Sequence, residues 1–319
     1  MQKLNPPDWN LDHLQVDDSA PEWFKTAVNT SVRSNYVAVN GCTIHYLTWE
    51  EPASSLQSQK KPGLLFVHGG GAHANWWRFI APSFMSDYKV AAIDLSGMGD
   101  SGKREKYSAA LRAEEILHVL KAAELGPKPI VIGHSFGGLM TMRFGADFGE
   151  KIGGAIIVDS PVLPESEKAS EVPRRVLSVQ RYYPTFKIGL ERFRLLPAQE
   201  CKNTFIVDFI ARHSLIETDM GWTWKFDVKA MGANRWSEPF HEHLAKMKCP
   251  SALIVAENSG IVSAVTADYM SDLMGPESPM IKIKNSHHHI MLDQPLSFIE
   301  AVNDLLADWG KFKHIKEIV

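Results

Sequence analysis

Six short apolar runs recur along the chain, at residues 64–67, 90–93, 130–132, 155–158, 252–255 and 280–283. Helix-length segments separate most of them. A strand covered on both faces has no reason to alternate polar and apolar residues, so such runs are the pattern of a buried parallel sheet. Between the second and third run, residues 109–120 repeat apolar side chains at helical spacing. Alternating strands and helices predict an α/β fold with helices on both faces of a mostly parallel sheet. Upstream, residues 36–39 and 43–49 read as two strands turning at Asn40-Gly41, a strong hairpin dipeptide.

The rhythm of runs divides the chain of 319 residues into four stretches. Residues 1–35 are polar, with Pro6, Pro7 and Pro21 and scattered aromatics (Trp9, Trp23, Phe24), and read as an arm laid over the body. Residues 36–160 and 241–319 carry the strands of the core. Residues 161–240 lack a clear buried strand and are rich in arginine and aromatics, among them Arg174, Arg175, Tyr182, Tyr183, Phe186, Trp222, Trp224 and Trp236. They read as a helical insertion after the sixth strand, placed as a cap over the carboxyl edge of the sheet, where open α/β sheets bind ligands.

The third run leads into Gly133-His134-Ser135-Phe136-Gly137 and then a helix-compatible stretch. A strand, Gly-x-Ser-x-Gly and a helix together form a nucleophile elbow. The turn is so sharp that its flanking residues must be small, and the serine stands exposed at the strand tip. Ser135 is therefore the candidate nucleophile. A serine needs a base within hydrogen-bond reach, and His287-His288-His289 follow the last run. Three adjacent histidines cannot easily converge on one ion, and no cysteine or carboxylate cluster supports them, so no metal and no organic cofactor are expected.

With these motifs in view, the chain resembles a serine hydrolase of the α/β-hydrolase superfamily, of the capped, esterase-like kind, from about residue 36 to the end. The likeness rests on His68-Gly69-Gly70-Gly71, on 94–101 (Asp-Leu-Ser-Gly-Met-Gly-Asp-Ser), on the elbow, and on 288–295, which ends in Pro295. It implies His288 as base, seven residues before that proline, and an oxyanion hole of the Gly70 and Phe136 amides. Relatives mostly place the acid in a Gly-x-x-Asp stretch after the penultimate strand. Here that stretch is Ala256-Glu257-Asn258-Ser259, with serine at the acid's position. Some branches carry the acid one strand earlier, where this chain has Asp159. Asp159 is the expected acid and Glu257 the alternative, since an imidazolium needs a charged orienter.

The expected function is hydrolysis of a carboxylic ester of a small apolar or aromatic substrate. The alternatives are carbon–carbon bond or lactone cleavage by the same pair, or a non-catalytic small-ligand binder on this fold. Local basic residues (Arg174, Arg175, Arg181, Lys187, Arg192, Arg194) hint at an anionic substrate, against the plainer reading of a solvated helix face. A net charge of −3 gives no field toward nucleic acid or an anionic membrane. Three scattered cysteines form no disulfide framework, and no apolar run reaches membrane-spanning length. The start carries no basic-then-apolar signal, so a cytoplasmic protein is expected. Oligomeric state is not encoded in any of these patterns.

Overall fold

A computed structural model describes residues 14–49, 61–168, 179–231, 238–307 and 316–318. In chain order the strands are β1 (Val32–Val39), β2 (Cys42–Trp49), β3 (Gly63–Val67), β4 (Lys89–Ile93), β5 (Ile130–His134), β6 (Gly154–Val158), β7 (Tyr182–Tyr183), β8 (Leu215–Thr218), β9 (Gly221–Trp224), β10 (Ser251–Ala256), β11 (Met280–Ile283) and β12 (Lys316–Ile318). The α-helices are α1 (Glu22–Asn29), α2 (Ala109–Ala122), α3 (Phe136–Phe148), α4 (Glu165–Lys168), α5 (Phe186–Leu190), α6 (Thr204–His213), α7 (Phe240–Ala245), α8 (Ala264–Met274), α9 (Ile290–Asp293) and α10 (Pro295–Ala307).

Nine strands form one sheet in the order β1-β2-β4-β3-β5-β6-β10-β11-β12. The first two pairings are antiparallel and the remaining six parallel. All eight strands expected from the sequence are present. β12 joins the far edge in parallel with β11. A three-residue Lys-Glu-Ile strand offers no apolar run by which to be found. The β1–β2 hairpin turns through Asn40 and Gly41, both at positive φ (46° and 75°), as a two-residue turn matched to strand twist requires.

Every residue of β3, β6 and β10 is buried, which is why these strands read as unbroken apolar runs. Alternate side chains feed two layers. Phe66, Ile132, Ile156 and Ile254 join Trp77, Phe84 and α10's Phe298 on one face. Leu65, Val131, Ile157 and Leu253 meet Ile116 of α2 and Leu139 of α3 on the other. Each such side chain contributes about 1.5–3 kcal/mol through removal from water. The sheet is thus rigid at the strand tips that carry the polar residues described below.

The stretch before β1 is more than an arm. α1 packs Phe24 into the core, with its ring 4.9 Å from Phe205 and 5.7 Å from both Phe79 and Phe209. The inserted stretch holds α4, α5 and α6 and also a three-stranded antiparallel sheet in the order β7-β9-β8. Only Leu215 and Thr223 of that sheet are buried, so its strands lack the apolar run that would have announced them. Arg174, Arg175 and Trp236 lie outside the described residues, as does most of the polar loop at 51–61.

Candidate active site

Ser135 joins β5 directly to α3 and takes φ 53°, ψ −120°. A non-glycine residue at positive φ is strained and persists only where its surroundings over-determine it. Here they do. The Ser135 amide donates to the Val158 carbonyl of β6 (2.8 Å). A Cβ on Gly133 would overlap Thr141 Oγ1 and the Gly137 carbonyl, and one on Gly137 would overlap the carbonyls of His68 and Val67. The two glycines let helix and strand approach to main-chain contact around the serine.

His288 comes from the loop between β11 and α9. Its Nε2 lies 2.9 Å from Ser135 Oγ and its Nδ1 2.8 Å from Asp159 Oδ2. Asp159 sits just past β6 and is fully buried. Its Oδ1 accepts the Ala256 amide (3.0 Å), and its Oδ2 also accepts the Ser259 hydroxyl (2.6 Å). With the carboxylate serving as acceptor throughout, the network assigns the imidazole proton to Nδ1 and leaves Nε2 to accept from Ser135. Glu257 is exposed and turned away, and its Oε2 accepts the Asn285 amide (2.8 Å). The fold therefore brings Ser135, His288 and Asp159 into one hydrogen-bonded chain, and Glu257 stands outside it.

The His-Gly-Gly loop lies against the elbow. A Cβ on Gly69 would stand 3.4 Å from Ser135 Cβ, and one on Gly70 3.5 Å from Phe136 Cβ. His68 Nε2 accepts the Leu95 amide (3.1 Å), so Nδ1 holds the proton and donates to the Gly69 carbonyl (2.7 Å). Burial, partly offset by Asp94, keeps the His68 pKa below its ordinary value, which preserves that neutral tautomer. The carbonyl and the following N–H of a trans peptide point in opposite directions. Holding the Gly69 carbonyl thus turns the Gly70 N–H away from the imidazole. The Phe136 amide is the first of α3, at the positive end of the helix dipole.

Three further residues, not anticipated from the sequence, hold the histidine loop. Gln199, from the inserted stretch, accepts the His289 amide at Oε1 (2.9 Å) and donates to Asp293 Oδ2 (3.0 Å). The same Asp293 oxygen accepts the His287 amide (2.8 Å). His134 donates from Nε2 to the His288 carbonyl (2.9 Å). His134 and Asp293 lie within motifs legible in the sequence, which gave no sign of these contacts, and Ser259, which bonds Asp159, occupies the position at which relatives carry the acid. Gln199 is far away in sequence and lies in no motif.

The three adjacent histidines do not form one group: His287 stands apart, and it is the distant His134 that joins His288 and His289. Each of the latter three offers a nitrogen within 4.8 Å of the others. Around a tetrahedral zinc ion with bonds of about 2.0–2.1 Å, ligand nitrogens sit roughly 3.4 Å apart. Both nitrogens of His288 and Nε2 of His134 are already engaged. A second group, His45, Asp94 and Asp100, is a structural hub. Asp94 accepts His45 Nδ1 (2.7 Å) and the amides of Ala74 (2.5 Å) and Asp100 (2.8 Å).

The inserted stretch is tied to the loops that follow β3 and β4. His73 Nε2 donates to Ser214 Oγ (2.9 Å), and the Gly99 and Asp227 amides bond the carbonyls of Lys225 (2.8 Å) and Gly97 (2.7 Å). Met231 then covers the glycine loop, with its Cε 3.4 Å from where a Gly70 Cβ would be.

A family model described as the alpha/beta hydrolase family matches residues 64–301. The chain belongs to that family. This α/β hydrolase is 27% identical over 258 residues to esterase Rv0045c of Mycobacterium tuberculosis, an alignment covering 77% of this chain and 83% of the relative. It is 24% identical over 252 residues to pimeloyl-[acyl-carrier protein] methyl ester esterase of Aeromonas hydrophila, covering 77% and 96%. Among solved structures, E-2-(acetamidomethylene)succinate hydrolase superposes with a TM-score of 0.73 at 18% identity, covering 87% of this chain and all of that one. The Rv0045c esterase superposes at 0.66 with 23% identity, covering 90% and 95%. At those identities the superpositions establish the shared fold.

Proposed function

We propose that this protein is a serine hydrolase that cleaves carboxylic esters of small apolar or aromatic substrates through an acyl-enzyme. The observation that carries the reading is the unbroken chain Ser135 Oγ–His288 Nε2 and His288 Nδ1–Asp159 Oδ2, at 2.9 and 2.8 Å. Ser135 attacks the acyl carbon while His288 takes its proton. Asp159 stabilises the imidazolium, and the tetrahedral oxyanion is held by the Phe136 and Gly70 amides, each worth about 3 kcal/mol. His288 returns the proton to the leaving alcohol. Water, deprotonated by the same imidazole, then releases the acid and restores Ser135. The inserted stretch serves as the cap, with Phe226 and Met231 walling the glycine loop on the side where the substrate's acyl group would lie. No step calls for a metal or organic cofactor, and the partner is the small-molecule substrate.

The names of the relatives support hydrolysis broadly and esters in particular. A second reading, carbon–carbon bond cleavage, draws on 22% identity over 265 residues to 2-hydroxy-6-oxo-6-(2'-aminophenyl)hexa-2,4-dienoic acid hydrolase of Metapseudomonas resinovorans. Among the described residues no helix is long and apolar enough to cross a membrane.

The test is a fluorophosphonate probe followed by a substrate panel. Labelling that disappears in Ser135→Ala is the expected result, and no labelling of the wild type would favour a ligand-binding role. Graded p-nitrophenyl esters run beside a ring-fission diketone and a lactone then rank the reaction types. A diketone turned over faster than every ester would replace the ester reading with the second one.

A further inference from the structure

We infer that Ser259 is a positioning residue that acts on His288 through Asp159. The inference rests on reading Ser135, His288 and Asp159 as the reacting chain. Asp159 Oδ2 is the oxygen that holds His288 Nδ1 (2.8 Å), and the same oxygen receives the Ser259 hydroxyl (2.6 Å). Ser259 Oγ itself accepts the amides of Ile261 (3.2 Å) and Val262 (3.0 Å). With both of those donors pointing at the oxygen, the hydroxyl proton is directed to Asp159. The carboxylate is thereby clamped from two sides, by Ser259 at Oδ2 and by the Ala256 amide (3.0 Å) at Oδ1. Neither clamp alone fixes the rotation of the carboxyl group about its own bond. Together they aim one lone pair of Oδ2 at the imidazole.

The other titratable groups facing His288 are His134 and His289, with rings 4.8 Å away. Both are buried, which pushes their pKa values well below the ordinary histidine value and keeps them neutral. Glu257, two residues before Ser259, is exposed and accepts the Asn285 amide.

The test compares Ser259→Ala and Ser259→Thr with the wild type in p-nitrophenyl acetate hydrolysis and in fluorophosphonate labelling of Ser135. In Ser259→Ala, kcat is expected to fall about tenfold, as for loss of one hydrogen bond to a charged group, with KM within about twofold. Ser259→Thr keeps the hydroxyl and is expected to recover most of kcat with KM unchanged. Wild-type kcat in Ser259→Ala would overturn the inference. So would a fall in kcat that threonine does not rescue, or one accompanied by a rise in KM of similar size, since either is the mark of a loop-holding role. If Ser259→Ala does not fold, Ser259→Cys substitutes a weak donor of similar size and is judged by the same criteria. An unlabelled wild type would instead remove the reaction on which the inference rests, and so separates the two failures.

Discussion

His134 Nε2 donates to the main-chain carbonyl of His288 across 2.9 Å, and the two rings lie 4.8 Å apart. The residue just before the elbow serine therefore holds the peptide of the histidine that faces Ser135. In a strand–turn–helix motif this residue could be nearly anything. Here it couples the elbow to the loop 154 residues away in sequence. Replacing it by phenylalanine keeps a ring of similar shape and leaves a buried carbonyl without its donor, at a cost of about 1–3 kcal/mol. His134→Phe is expected to lower kcat about tenfold with Tm down by several degrees. Thermal melts and steady-state kinetics check this, and unchanged values of both would show the bond to be incidental.

Asp159 and Glu257 make opposite predictions. Asp159→Asn leaves the buried His288 with a neutral partner, and turnover is expected to fall by about 10³–10⁴-fold, the loss typical of a triad acid. Glu257→Gln removes only an exposed acceptor for Asn285, and turnover is expected to stay within about twofold of wild type. A collapse confined to the Glu257 variant would move the acid to that residue.

The two clamped positions are exchangeable on geometric grounds. Ser259 Oγ stands 2.6 Å from the Asp159 oxygen that faces His288, and an aspartate at 259 would reach one bond farther. The double variant Asp159→Ser/Ser259→Asp is expected to be at least about tenfold more active than Asp159→Ser alone. Equal activity of the two would mean that position 259 cannot present a carboxylate to the imidazole.

Acid sensitivity should trace to buried neutral histidines. Burial pushes His73, His134 and His289 well below the ordinary histidine value, and His68 below it. Below about pH 6.5 the unfolded chain takes up protons that these residues refuse in the folded state, so stability falls as pH drops. His45 runs the other way. Burial lowers its pKa, but Asp94 outweighs that and raises it, so its contribution is complete below about pH 6.5 and is lost as pH rises through its folded value. Four groups against one predict a Tm that falls between pH 7 and pH 5. His73→Gln, which retains a donor for Ser214, is expected to flatten that slope by up to about 1.4 kcal/mol per pH unit. An unchanged slope would exclude His73 as a contributor.

The central strands were legible because their cause is local. A strand buried on both faces must be apolar throughout, and residues 64–67, 155–158 and 252–255 are. β7, β8 and β9 escaped notice because their faces are mostly half-exposed and their residues mixed. The elbow was legible for a similar reason, since main-chain crowding at Gly133 and Gly137 forbids any side chain. Gln199 was not legible, because its role depends on a contact with a loop 90 residues away that no local pattern records.

The sequence by itself determined the fold class, the eight strands of the core, the elbow that sets Ser135 at the tip of its strand, and a short choice of partners for it. Only the tertiary structure sets Asp159, and not Glu257, against His288. The reason is strand register. β6 and β10 lie side by side with Val158 paired to Ile254, so Asp159 leaves its strand beside Ala256 and Ser259 and within hydrogen-bond reach of His288 Nδ1. Glu257, on the same stretch as Ser259, faces outward. Both carboxylates lie between serine and histidine in chain order, and nothing in their spacing says which one the sheet turns toward the imidazole.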